Sequence, residues 1–174
     1  MNTYITANIG SLKALQEVLK QSDDQEYLEV SKPAFQSSLG QHARHIVEHY
    51  QCFFSQLEEQ KSLNYDLRCR DPRLEVDRQF CLQQIDQMID RFNNFQTLDV
   101  ALQISDDYSR YEARSSLCRE LMFLVNHTEH HNAMIAAMKR LSGVDVDEKF
   151  GVANATLNHK ERLKKASEKA VNQS

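Results

Sequence analysis

The sequence predicts an all-α protein, a four-helix bundle. Among its 174 residues are only 4 Gly and 2 Pro, so little interrupts regular backbone. Leu, Gln, Glu, Ala, Arg and Lys are plentiful, and these residues favour helix over sheet. The apolar residues also recur with helical rather than alternating spacing in four long stretches. The first stretch covers about 5–21, where Ile5, Ile9, Leu12, Leu15 and Leu19 share one face. A polar connection at 22–36 follows, and its Lys32-Pro33 step discourages helix before the proline. Ser37 or Ser38 can cap a second helix reaching about residue 60, with Ile46, Phe53, Phe54 and Leu57 in its stripe.

Asp71 as N-cap and Pro72 as first helical residue mark the third start. Leu74, Cys81, Ile85, Met88, Ile89 and Phe92 then follow on one side to about Phe95. The connection 96–114 carries Asp99-Val-Ala-Leu-Gln-Ile-Ser105, which alternates enough for a short extended piece. Ser115 or Ser116 caps the last long helix, with Leu117, Leu121, Leu124, Ile135 and Met138 inward and Gly143 as its stop. Residues 1–150 form one domain. Residues 151–174 are a polar tail, helical over 157–172 at most or mobile, because its apolar face is thin. The second helix, about 33 Å long, is followed by a connection, 61–71, that can stretch about 35 Å. A crossover leaving the second and third helices parallel is therefore permitted.

The net charge of −4 gives no basic face for nucleic acid. No apolar run approaches a membrane span, and the N-terminus lacks the basic start and apolar stretch of a secretory signal. Cys52, Cys69, Cys81 and Cys118 form no C-x-x-C pair and read as reduced residues of a cytoplasmic protein, with Cys69 in a loop.

Six of the seven histidines fall in two short segments, His42, His45 and His49 in the second helix and His127, His130 and His131 in the last. At 100° per residue the first three occupy an arc of about 60°. His127 and His131 stand one turn apart on one face. Imidazoles converging from two packed helices build a transition-metal site. Spacing alone leaves His42 or His49 able to replace His45, and His130 able to pair with His127. Glu120 lies seven residues before His127, within about 20° of its face. As an inward carboxyl it either pairs with a histidine N–H or a cation, for which Arg44, Arg68, Arg70 and Arg119 are candidates, or serves as an acid/base group. Glu129 points away and is solvated. No Ser–His–Asp or Cys–His nucleophile arrangement can be argued.

Read with their neighbours, these segments are Ser38-Leu-Gly-Gln-His-Ala-Arg-His45-Ile-Val-Glu-His-Tyr50 and Ser116-Leu-Cys-Arg-Glu120, continuing to His127-Thr-Glu-His-His131-Asn-Ala-Met-Ile135. Together they resemble the DinB-like (YfiT-type) family of metalloenzymes over about 1–150. The likeness extends to Tyr65-Asp66-x-Arg68-x-Arg70-Asp71 and Phe150-Gly151-Val152-Ala153. The resemblance implies an up-down-down-up bundle, a divalent transition metal (Zn, Ni or Fe) on His45, His127 and His131, and frequent homodimers. It also implies chemistry on a small molecule, first thiol S-transfer with a low-molecular-weight thiol, then hydrolysis; the rival reading is a non-catalytic helical bundle acting through dimerisation or a protein partner. By the same resemblance Tyr65 and Asp66 close the pocket mouth. Three imidazoles leave coordination positions open, as a catalytic site requires.

Overall fold

The computed structural model describes residues 3–32, 34–59, 62–96, 100–109 and 111–171. The first apolar stripe forms α1, Thr3–Gln21, and all five of its predicted inward residues are buried. Its successor was not anticipated. Asp23 accepts the Glu26 N–H and starts a short helix, α2 (Asp24–Leu28), inside the expected connection. Tyr27 anchors α2: its ring is fully buried and its hydroxyl donates to the Leu74 carbonyl. Pro33 lies outside the described residues.

Ser38 caps α3 (Leu39–Glu58) through a reciprocal capping box with Gln41. The expected end at residue 60 lies outside the described residues. The third predicted helix is broken in two, α4 (Arg73–Val76) and α5 (Arg78–Asn93). Asp77 causes the break: its backbone is extended, at φ −117° and ψ 98°, and its side chain accepts the Phe80 N–H to begin α5. The break lets α4 lie flat on the start of α3. Gly40 makes that approach possible, because a Cβ there would sit 2.1 Å from the Glu75 carbonyl oxygen.

The all-α expectation is corrected to mostly helical with a small sheet. β1 (Ala101–Ser105) pairs antiparallel with β2 (Glu112–Ser116), Ala101 opposite Ser116 and Ser105 opposite Glu112. Asp99, the predicted start of the extended piece, lies outside the described residues. The partner strand escaped notice because Glu-Ala-Arg-Ser-Ser has no apolar alternation; ladder hydrogen bonds, not burial, hold it. The Leu63 N–H donates to Gln103 O, and Ser105 N–H donates to Leu63 O, both at 2.9 Å. The segment after α3 is thereby pinned along β1.

Ser116 caps α6 (Leu117–Leu141), which ends at Gly143 with φ 77°. Its five predicted inward residues are buried. α1 packs against both α5 and α6, and α3 packs against the same two helices. Tyr50 ties the interior together, donating to Asn8 Oδ1 at 2.9 Å and lying 2.8 Å from Thr128 Oγ1. At one end the buried Lys139 ammonium donates to Ser22 Oγ at 2.9 Å and to Glu26. The tail forms α7 (Asn154–Val171), an exposed helix. Glu129, expected to be solvated, is instead half-buried and accepts the Asn154 N–H at 3.1 Å, fixing the start of α7. Among the described residues no helix is long and apolar enough to cross a membrane.

Candidate metal centre

The cap at Ser38 sets the register of α3, and that register turns His42, His45 and His49 toward α6. There they meet His127 and His131. One ring nitrogen each of His45, His127 and His131 lies within 4.8 Å of the others. His45 Nε2 and His127 Nε2 are 3.1 Å apart. Ring centroids are separated by 4.9 Å for His45–His127, 4.6 Å for His45–His131 and 4.7 Å for His127–His131. His49 and His42 stand beside this trio, the His49 ring centroid 4.0 Å from that of His127 and His42 Nδ1 3.0 Å from His131 Nδ1. His130 is exposed and His159 stands on the exposed α7.

Burial, reinforced by the neighbouring imidazoles, holds the three rings uncharged. It lowers the pKa of His127 to about 2, of His45 to about 3 and of His131 to about 4. His42 and His49 are lowered as well, chiefly by burial. Neutral rings are the form that offers a lone pair to a metal.

The flanking histidines are each fixed by hydrogen bonds. His49 Nδ1–H donates to the His45 carbonyl at 2.7 Å, which leaves its Nε2 as the lone-pair nitrogen. Its ring stacks on Tyr65, centroids 5.5 Å apart and planes 23° apart. Phe123 stacks against His127 at 5.6 Å. Tyr65 OH donates to Glu120 Oε2 at 3.1 Å. Glu120 is fully buried; its other oxygen accepts from Ser115 Oγ and lies 3.5 Å from Arg119 Nη1. Of its four candidate partners only Arg119 therefore reaches it. Arg44 pairs with Glu75, and Arg44 and Arg68 both lie 3.8 Å from the buried Glu48. Arg70 is exposed. The Asp66 carboxylate accepts the Asp107 N–H at 3.1 Å and lies near enough to His49 to favour that ring's charged form, against the larger effect of burial.

Three features were missed by sequence reasoning: the Tyr65–Glu120 contact, the Ser37 Oγ to His42 Nε2 contact of 2.8 Å, and the buried Glu48. The first joins segments 55 residues apart and leaves no spacing signal; the second is local, but it depends on the turn that brings Ser37 back onto the first turn of α3. Glu48 could have been suspected, since it falls within the turn between His45 and His49 on a helix that buries much of its circumference.

The donor set suits a transition metal. With metal–nitrogen bonds of about 2.05 Å, two tetrahedral ligands stand about 3.3 Å apart, close to the His45–His127 spacing of 3.1 Å. His127 Nδ1 is buried without a hydrogen-bond partner. Leaving it so costs about 1–3 kcal/mol, which a bond from Nε2 to a cation can offset.

Fold and site together define a helical protein with a three-imidazole cluster shared by two neighbouring helices. The DinB family model matches residues 3–158, and the chain belongs to that family. It is also similar to FK506-binding protein 5 of Rhizopus delemar, 35% identical over 104 residues. That match takes in 56% of this chain and 27% of the fungal protein, so the chain spans about a quarter of that relative's length. No solved structure matches the chain.

Proposed function

We propose that this protein is a metal-dependent enzyme acting on a small molecule, with Zn, Ni or Fe held by His45, His127 and His131, and that its reaction is thiol S-transfer. The observation that carries the reading is the meeting of three neutral imidazoles within 4.8 Å, a ligand set that leaves coordination positions for a reactant. A metal held by these three residues would acidify a thiol or water bound to it. His49 keeps its Nε2 lone pair through the Nδ1–H bond to the His45 carbonyl, and as a neutral ring it would orient a bound reactant by accepting a hydrogen bond. Tyr65 and Phe123, rings 5.0 Å apart, wall the site against water. Glu120 acts through Tyr65, holding its ring in place rather than meeting the reactant. Arg68, held by the Tyr65 carbonyl and beside Glu48, lies near enough to His45 and His49 to disfavour their protonation, and its positive charge would favour an anionic group on the substrate. The contacts of α1 and α3 with both α5 and α6 support the four-helix, up-down-down-up topology that the family resemblance implies.

Metal analysis of protein purified without added metal tests the site. About one equivalent should be present or readily taken up, and lost in His45→Ala and His131→Ala. The loaded protein should then consume a low-molecular-weight thiol together with an electrophile. Metal-free protein that refuses zinc, nickel and iron removes the reading. Metal uptake with ester or amide hydrolysis and no thiol-dependent turnover replaces transfer by hydrolysis.

A further inference from the structure

His42 lies outside the three-nitrogen cluster yet is bonded into it. It is 6% exposed, in the first turn of α3. Its Nδ1 lies 3.0 Å from His131 Nδ1 and its Nε2 lies 2.8 Å from Ser37 Oγ. The Phe35 ring stands edge-on to it, centroids 6.2 Å apart. The turn that presents Ser37 is a committed structure. Phe35 and Gln36 take φ of 62° and 48°, a region side chains avoid, and Ser31 N–H donates to the Ser37 carbonyl at 3.0 Å.

A neutral imidazole has one N–H and one lone pair. Two Nδ1 atoms facing each other at 3.0 Å are bonded only when one carries the hydrogen and the other does not. If His42 carries it, Ser37 must donate to His42 Nε2, and His131 keeps its hydrogen on Nε2 with no lone pair there for an ion. If His131 carries it, His42 passes its own Nε2–H to Ser37 Oγ, and His131 Nε2 is free to ligate. A ligating histidine usually donates its other N–H to an outer acceptor, and that partner orients the ring and raises its basicity.

We propose that His42 is a positioning residue: it accepts the His131 Nδ1–H, is itself fixed by Ser37, and so holds His131 in the tautomer that can bind a metal. The proposal rests on the metal reading above and gives His131 an outer partner that His127 lacks.

Zinc affinity of the full chain, measured by competition with a chromophoric chelator, tests it, alongside ¹⁵N spectra of the zinc-loaded histidines. His42→Ala should weaken zinc binding about 10–100-fold. His42→Asn should recover most of that loss, because its Oδ1 can stand where Nδ1 stood and accept the same hydrogen bond. Ser37→Ala, which keeps every imidazole, should weaken binding by a smaller factor and decides the matter if the His42 variants do not fold. His131 should show its hydrogen on Nδ1. Wild-type affinity in His42→Ala, or in a folded Ser37→Ala with His131 unaltered, overturns the proposal. So does equal loss in the Asn and Ala variants with zinc-shifted His42 signals, since His42 is then a ligand itself. Wild-type protein that binds no zinc fails differently: the metal reading goes, and this proposal with it.

Discussion

The histidine cluster makes the stability of the metal-free protein depend on pH, and the sign follows from its burial. His45, His127 and His131 have folded pKa values of about 3, 2 and 4, against about 6.5 in an unfolded chain. Between those limits the unfolded chain binds protons that the native protein refuses, so stability is complete above pH 6.5 and is lost as the pH falls. At pH 5.5 each ring contributes a loss of about 1.4 kcal/mol, or about 4 kcal/mol for the three. The rings are partly exposed, and solvent screening brings the sum to about 2 kcal/mol. For a domain of this size the melting temperature should then fall by about 4–8 °C between pH 7.5 and 5.5. Chelator-treated protein, melted by circular dichroism at both values, provides the measurement. Zinc at 100 times its Kd should restore about 2.7 kcal/mol at pH 7.5 and less at pH 5.5, where protons compete for the same nitrogens. The doubly substituted His45→Gln, His127→Gln protein should show a shallower slope. A wild-type melting temperature that does not change over this range, or a slope undiminished by both substitutions, would refute the reasoning.

Gly40→Ala places a methyl group 2.1 Å from the Glu75 carbonyl and 2.9 Å from the Tyr27 ring. α4 must move off α3 by about 1 Å, at a cost of about 3 kcal/mol; an unchanged melting temperature contradicts the close approach. Tyr65→Phe removes one donor from the fully buried Glu120, and denaturant unfolding should report a loss of about 1–2 kcal/mol, with no change meaning that the contact carries no stability. Native thiol titration should modify the exposed Cys69 first and spare Cys81, which is buried with its pKa pushed up to about 11. Equal rates at the two positions would show that the core opens.

What could be read in the chain was local. Ser38, Ser116 and Gly143 mark helix ends by hydrogen-bonding and φ preferences that belong to single residues, and the structure uses all three. The stripes of α1 and α6 were legible because burial on a helix repeats every three to four positions. The i, i+4 pair His127 and His131 was legible for the same reason. Asp77 shows where this reading stops: an N-cap in mid-helix resembles any surface aspartate until α4 is pulled flat against Gly40 and Tyr27. Which of His42, His45 and His49 faces His127 depends on how α3 and α6 face each other, a few degrees that no spacing records. The neutrality of the rings, the Tyr65–Glu120 contact and the Ser37–His42–His131 chain arise from burial and from segments far apart in sequence. The residues by themselves determined the helices and the chemistry available; tertiary packing decided which nitrogens meet, because desolvation and hydrogen-bond geometry exist only once the helices are in contact.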